Sequence, residues 1–361
     1  MALSRLAVSQ FRNLRALELE PSQGFNLIVG PNGSGKSSLL EAIHFLGRAR
    51  SFKTSQQRNI INTQSKACTV FAEVYPYPEA LKIPVGITRN LGGEVRIKVQ
   101  GDDVRSVAPL AELLPLQVIS PDSFKLIEGG PRSRRQFIDW GVFHVEQDFL
   151  GQWQRLNRCL KQRNKLLRRG KIDSRQLTSW DHEFLDLGNN ITGQRSAYVD
   201  SLTPHFESII SRFSLPGGLK VSFYPGWDQK KGLEQALADQ LKRDLDRGYT
   251  QVGPQRAELQ IEYLGKNVLE TASRGQQKII SCALKIAQAQ LFSKWSVRKT
   301  IFLVDDLAAE LDERNRGIIL GLLEESRSQV FITAVEKEAL KGMLEKNDSA
   351  LFHVEQGALK S

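Results

Sequence analysis

The sequence predicts an α/β fold: a mixed sheet carrying a phosphate loop (P-loop), an antiparallel β subdomain and a short α-helical hairpin arm. Three observations lead there. Phe25-Asn26-Leu27-Ile28-Val29 reads as a buried strand that runs directly into Gly30-Pro31-Asn32-Gly33-Ser34-Gly35-Lys36-Ser37, after which Ser38 to Ile43 opens a helix. The first third of the chain otherwise alternates apolar and polar residues, as half-buried strands do. From Trp153 to Leu202 the apolar period becomes that of a helix. At 361 residues, 40% hydrophobic and 25% charged, the composition is that of a folded chain with room for more than one unit. The expected division is a head built from residues 1–134 and 217–361, with a helical arm, 135–216, inserted in it.

In chain order, residues 3–8 and 14–19 alternate as strands, the phosphate-loop strand follows, and 70–75, 83–88 and 94–100 are further strands with Gly92-Gly93 as a hairpin turn. Trp153, Leu156, Leu160 and Leu167, then Leu177, Trp180, Phe184, Leu187, Ile191, Tyr198 and Leu202, fall on helical spacing on either side of Gly170. They predict an antiparallel hairpin whose first helix, about 148–169, spans roughly 33 Å at 1.5 Å per residue. Trp153 and Trp180 sit in the apolar stripe and are expected in the hairpin core. Strand signals return at 220–224 and 258–263, and a long helical run follows from Ile279 to Phe292.

The cysteines, Cys68, Cys159 and Cys282, are far apart and form no C-x-x-C pair, which argues against a disulfide scaffold or a zinc site and fits a reducing cytoplasm. Residues 1–15 show no basic segment leading into an apolar one, so no signal peptide is expected. No stretch approaches the roughly 20 apolar residues of a membrane span, and no membrane partner is expected.

The phosphate loop has the form G-x-x-x-x-G-K-[ST] between a strand and a helix. Its glycines let backbone N–H groups close around phosphate oxygens at the positive end of the helix. Gly30, Pro31, Asn32, Gly33, Ser34, Gly35, Lys36, Ser37 and Ser38 are the expected nucleotide contacts. Lys36 supplies a point charge to the outer phosphates, and the Ser37 hydroxyl a ligand to Mg²⁺. A matching carboxylate should end another buried strand. Ile301-Phe302-Leu303-Val304-Asp305-Asp306 supplies two, which would be costly to desolvate without a cation nearby. Asp305 is the expected Mg²⁺ partner through water, and Asp306 the group that orients or deprotonates the attacking water. A third segment, Ser273-Arg274-Gly275-Gln276, opens the long helix just before that strand. Its Ser273 and Gly275 read either as a second anion cradle or as an N-cap and nothing more.

These segments together resemble the ABC-type ATPase heads and, within them, the RecF family. The order agrees: phosphate loop, signature at Ser273–Gln276, acidic strand at Asp305-Asp306, then Ala309-Glu310-Leu311-Asp312 as a D-loop. Three further segments are similar to RecF. They are Phe11-Arg12-Asn13-Leu14; Pro121-Asp122-Ser123-Phe124 with 130–139; and Gly253-Pro254-Gln255-Arg256. The resemblance implies a cytoplasmic recombination-repair ATPase that binds ATP with Mg²⁺ and becomes a homodimer when ATP is bound. It further implies binding to DNA at single-strand gaps and duplex junctions, and work with RecO and RecR to help RecA replace single-strand binding protein. Each ATP would lie between the phosphate loop of one subunit and Ser273 of the other, with Lys36, Asp306 and Ser273 as the catalytic set. Arg12 would stand beside the nucleotide, although a strand end with a polar turn explains that segment equally well.

Departures from the transporter-type heads bear on rate. Asp306 stands where those heads usually have Glu, and Ala334 follows Thr333 where they carry a switch histidine. Both suggest slow hydrolysis suited to timing; a weak, DNA-stimulated ATPase used as a conformational switch is what the resemblance implies. The alternatives are the ATPase subunit of a membrane transporter, which the hairpin and the missing histidine argue against, and a small-molecule kinase, which leaves the signature unexplained. Gln255 occupies a place where RecF-like chains commonly have His, and no catalytic role is assigned to it.

Lys+Arg 50 against Asp+Glu 40 leaves +10, a surplus suited to a polyanionic partner. It is concentrated on the first arm helix, where Arg155, Arg158, Lys161, Arg163, Lys165, Arg168 and Arg169 precede the first acid, Asp173, with Arg132, Arg134 and Arg135 upstream. These are the expected DNA-phosphate contacts, salt-dependent and indifferent to sequence. A solvated helix face is the other reading of such a run.

Overall fold

The structure, a computed structural model, describes residues 2–77, 80–121, 125–168, 174–215, 217–336 and 348–360. The chain forms two compact units: Met1–Phe124, Ile209–Phe213 and Lys278–Ser361; and Lys125–Ser208 and Ser214–Gln277. This differs from the expected division, since residues 217–277 group with the helical arm and the arm's unit starts at Lys125.

The first unit opens with β1 (Ala2–Phe11), β2 (Leu14–Leu19), β3 (Phe25–Val29) and α1 (Lys36–Arg48). There follow β4 (Ala67–Tyr75), β5 (Ile83–Asn90), β6 (Val95–Val99), β7 (Asp102–Val104), α2 (Ala108–Leu113) and β8 (Leu116–Ile119). The second unit holds α3 (Lys125–Glu128), α4 (Pro131–Val145), α5 (Phe149–Leu167), α6 (Ser174–Ile210), β9 (Leu219–Tyr224), α7 (Gly232–Arg247), β10 (Glu258–Tyr263), β11 (Lys266–Asn267) and α8 (Val268–Thr271). Helix α9 (Arg274–Trp295) carries the chain back into the first unit, which ends with β12 (Ile301–Val304), α10 (Leu307–Glu310), α11 (Glu313–Glu325), β13 (Gln329–Ala334), β14 (Ser349–Glu355) and β15 (Ala358–Lys360).

Two sheets make the first unit. One is antiparallel, in the order β2-β1-β4-β5-β6-β7; the other, β15-β14-β3-β13-β12-β8, is parallel except for the edge strand β15. Strands β3, β12 and β13 are buried throughout, as strands covered on both faces must be, which is why they read as unbroken apolar runs. Helix α1 packs against strands of both sheets, and Leu39, Leu40, Ile43 and Phe45 join Leu3, Leu6, Val70, Leu303 and Phe331 in one core. A buried glutamine fastens the layers. Gln329 Oε1 accepts from Leu3 N at 2.8 Å, and its Nε2 donates to Leu3 O at 2.9 Å and Ser22 O at 2.7 Å. Because β13 separates β3 from β12, the C-terminal ends of all three lie side by side, where open parallel sheets bind their ligands.

In the second unit α5 is 19 residues long, roughly 28 Å, shorter than expected, and α6 extends to 37. The hairpin turn at Gly170 lies outside the described residues. Trp153 corrects an expectation: it is 38% exposed rather than in the hairpin core, which is built on Leu156, Phe184, Leu187 and Ile191. The unit is also held by buried ion pairs. Arg195 donates to both Asp139 oxygens at 2.7 and 3.0 Å and to Pro254 O at 2.8 Å, which anchors the Gly253–Arg256 segment.

Candidate functional site

The site begins with glycine geometry. Gly30, Gly33 and Gly35 have φ of 152°, 78° and 119°, the range open to glycine at little cost. A Cβ on Gly30 would also stand 2.1 Å from Val354 O. The loop is tied down from outside: Asn13 Nδ2 donates to Gly33 O (3.1 Å), Ser38 Oγ to Asn13 Oδ1 (2.8 Å) and Gly357 N to Ser34 O (2.8 Å).

Lys36 Nζ donates to Gly30 O at 2.7 Å and Pro31 O at 2.9 Å, so the ammonium lies within the loop it serves. Burial lowers its pKa, opposed by the negative charge of Asp306 and Asp305. Ser37 Oγ donates to Asp305 Oδ1 at 2.8 Å, Thr333 Oγ1 donates to the same oxygen at 2.9 Å, and Asp306 N donates to Thr333 Oγ1 at 3.0 Å. Three adjacent strand ends thus meet at one carboxylate. Asp305 is buried; Asp306 is exposed, with φ 53°, and turns the chain from β12 into α10.

A cavity of about 1040 Å³ opens over this group, lined by Arg12, Asn32, Lys36, Lys53, Asp305 and Gln64 among others. Its residues fit a nucleoside triphosphate with Mg²⁺. The buried Ser34 Oγ has no hydrogen-bond partner among the described residues and is a spare polar group in the loop. Ser37 and Asp305 would supply the oxygen ligands from the protein if Mg²⁺ bound here, an ion that completes its coordination with phosphates and waters rather than a protein cage. No group of three or more His, Cys, Asp or Glu side chains that could hold a metal occurs among the described residues. Arg12 lines the cavity, but its Nε and Nη2 are engaged with Glu41 at 3.0 and 2.8 Å, and Glu41 is buried. Asn13 belongs to the segment expected beside the nucleotide, whereas Lys53 and Thr333 were given no role by the sequence. Lys53 Nζ stands 3.2 Å from Asp305 Oδ2 across a stretch of chain that no motif spans.

In the second unit Ser273 caps α9 in a reciprocal box: Gln276 N donates to Ser273 Oγ at 3.3 Å and Ser273 N to Gln276 Oε1 at 2.8 Å. Ser273, Arg274 and Gly275 are exposed. Gln255 Nε2 donates to Val252 O at 2.8 Å, within its own loop.

The expected DNA-contact residues separate into two classes. Arg155, Arg158, Lys161 and Lys165 are all exposed at spacings of three and four on α5, which puts them on one stripe; Arg168, also exposed, caps its C-terminal end with Nε on Gly248 O at 3.2 Å, and Arg132 is exposed on α4. Arg163 is a correction. It is wholly buried, with Nε on Asp181 at 2.6 Å and Nη1 on Asp244 (3.0 Å) and Thr250 (2.7 Å). Arg134 is a second: it grips Glu258 at 2.6 and 3.1 Å and the carbonyls of Ile127 and Gly129. Arg135 is a third, half-buried on Ala257 O at 2.7 Å, with burial lowering its pKa. These three arginines build the unit. Arg169 and residues 122–124 lie outside the described residues.

The fold and the phosphate loop define an ABC-type ATPase head of the SMC kind, and comparison agrees. The RecF/RecN/SMC N-terminal domain family matches residues 2–360. RecF, "DNA replication and repair protein", of Azotobacter vinelandii is 48% identical over 360 residues, 99% of this chain and 98% of that one; RecF of Pseudomonas fluorescens strain SBW25 gives the same figures. Solved structures of the recombination mediator protein RecF in the RecFOR pathway, RecF-ATP and RecF-ATPrS, superpose with TM-scores of 0.86 and 0.84 at 25% and 26% identity, over 99% of this chain and 96% and 97% of theirs. An SMC head bound to the C-winged helix domain of ScpA shares the fold at 17% identity, with a TM-score of 0.60, over 100% of this chain and 96% of that one. The chain belongs to the RecF family of DNA replication and repair proteins.

Proposed function

We propose that the chain is an ATP-dependent DNA-binding protein of recombinational repair. In this reading ATP joins two copies into a clamp on DNA at single-strand gaps and duplex junctions, and slow hydrolysis releases it. The observation that carries it is the meeting of Ser37, Asp305 and Thr333 at one point beside the phosphate loop, with hydrogen bonds of 2.8 and 2.9 Å. That is an assembled oxygen site for a metal–triphosphate. Similarity to RecF-ATP over 99% of the chain supports the nucleotide.

Each residue has a task. Lys36 exchanges the carbonyls of Gly30 and Pro31 for phosphate oxygens. Ser37 and Asp305 hold Mg²⁺, which when bound neutralises charge building on the phosphates. Thr333 keeps the Asp305 carboxylate turned to the metal. Asp306, exposed beside it, orients the attacking water. With one methylene fewer than Glu, and with Ala334 rather than a histidine after Thr333, the ATPase is slow; in this reading it serves as a switch that DNA stimulates. The exposed start of α9, with Ser273 and Gly275, meets the triphosphate held by the second copy.

DNA lies along the α5 stripe, which from Arg155 to the capping Arg168 at its end spans roughly 20 Å at 1.5 Å per residue. Phosphates recur about every 3.4 Å along each strand, so a stripe of that length faces several. RecO, RecR and RecA are the partners the reading implies, with the RecFOR pathway of the solved relatives as its support.

Mass in solution, measured with Mg-ATP and with Mg-ADP across a salt series on gapped duplex, tests the reading. A dimer with ATP alone, and DNA affinity that falls steeply with salt, is the expected result. A monomer at saturating Mg-ATP and DNA overturns it.

A further inference from the structure

Helix α1 carries the phosphate loop at one end; at the other, within the same unit, is a second cavity. It measures about 230 Å³ and is lined by His44, Arg48, Phe52, Leu116, Gln117, Val118, Ser120 and Lys285. His44 and Arg48, one helical turn apart, project from the same side of α1, and Lys285 comes from α9. No carboxylate is among the described residues that line it. The acid on the same stretch of α1, Glu41, is committed to Arg12 and Ser51. Lys285 Nζ donates to Val118 O, which leaves two of its three N–H groups. Arg48 makes no hydrogen bond or ion pair with a described residue.

Arg48 and Lys285 are partly buried side by side without a counter-charge, which is costly, and the cost shows on the groups around the cavity. Burial, then Arg50, pulls Arg48 down to about 10; burial pulls Lys285 down to about 8. His44 is held at about 3 by burial and then by Arg48, and its Nδ1 donates to Arg50 O at 2.8 Å. A concave site with two cationic side chains, Arg48 and Lys285, beside the Gln117 amide is built to receive negative charge. The size selects the ligand. A cavity of 230 Å³ holds several waters, at about 30 Å³ each, but falls below the range of roughly 300–1,000 Å³ that encloses a drug-sized molecule.

We propose that this cavity is an anion site for a single phosphate group, separate from the phosphate loop. The donors are the Arg48 guanidinium, the two remaining Lys285 N–H groups and the one Gln117 Nε2 N–H not already given to Gln288 Oε1 at 2.6 Å. The phosphate comes either as free inorganic phosphate or as the terminal phosphomonoester of a DNA strand.

The test is equilibrium dialysis of labelled inorganic phosphate against the full chain, with the phosphate loop filled by excess non-hydrolysable ATP analogue. One saturable phosphate site per chain is expected. Arg48→Met and Lys285→Met should each weaken it about tenfold or more, as loss of a charged hydrogen bond does, and Arg48→Lys should restore part of the affinity. Binding of the ATP analogue, measured on the same samples, reports that each variant is folded and separates this site from the nucleotide site. A short 5′-phosphorylated oligonucleotide against its 5′-hydroxyl twin distinguishes the sources: a preference lost in Arg48→Met assigns the DNA end, and equal binding assigns free phosphate. Phosphate uptake that is absent, or unchanged in both Met variants with analogue binding intact, overturns the proposal.

Discussion

Asp305 shows how much one side chain can depend on its neighbours. Its carboxylate accepts from Ser37 and Thr333 and faces Lys53. Thr333→Val removes one of those donors without changing shape. It should weaken Mg-dependent ATP binding by roughly tenfold, the worth of a hydrogen bond to a charged group, while Mg-free nucleotide binding stays near wild type in a fluorescence titration. Lys36→Met should lose both. Arg163 makes the opposite point, a charge with a purely structural task. Arg163→Ala leaves Asp244 buried without its partner and should destabilise the protein by about 3–5 kcal/mol, read as a lower denaturation midpoint. His44 gives a pH signature. Its folded pKa of about 3 lies below the ordinary 6.5, so on acidification the unfolded chain takes the proton first. Its stabilising share is complete above pH 6.5 and drains away as pH falls toward 3. In phosphate-free buffer, wild type should therefore lose melting temperature faster than His44→Gln between pH 7 and 4, and parallel curves would refute the assignment.

Among the elements, α9 and α5 carry the predictions. The capping box at Ser273 satisfies the first turn of α9 by itself, so Ser273→Ala costs about 1 kcal/mol of local stability. Ser273→Arg tests the proposed second role. It should leave ATP binding by the monomer near wild type yet block dimerisation in light scattering, and wild-type dimerisation and hydrolysis in that variant would disprove the role. On α5, Lys161→Glu with Lys165→Glu should lower DNA affinity and flatten its salt dependence by about one unit of log–log slope for each DNA phosphate left without its lysine, with the helical content unchanged.

At the scale of the molecule, the parallel sheet decides where chemistry happens. Strand order β3-β13-β12 puts the phosphate loop, Thr333 and Asp305 on neighbouring strand ends although 268 residues separate Ser37 from Asp305. A shared triphosphate then predicts second-order behaviour. ATPase activity per chain should rise with protein concentration until the dimer is saturated, and activity independent of concentration would assign the whole reaction to one copy.

The sequence by itself determined the phosphate loop, the Asp305 strand, the signature turn and most strands of the antiparallel sheet. Each of these is local: glycine φ values, an unbroken apolar run and a period of two are written in consecutive residues. It missed β8 and β14, whose parallel pairings are with strands remote in sequence, and β7, β11 and β15, edge strands of two or three residues that are too short to show a period. It grouped Arg134, Arg135 and Arg163 with Arg158 and Lys165, because a charge count carries no information on which side of a helix meets solvent. Only the tertiary structure decided that Arg163 faces two aspartates and the stripe faces water, that Arg12 is held by Glu41, and that Lys53 reaches Asp305. Pairing between distant charges is set by the packing of whole layers, which no short window of sequence contains.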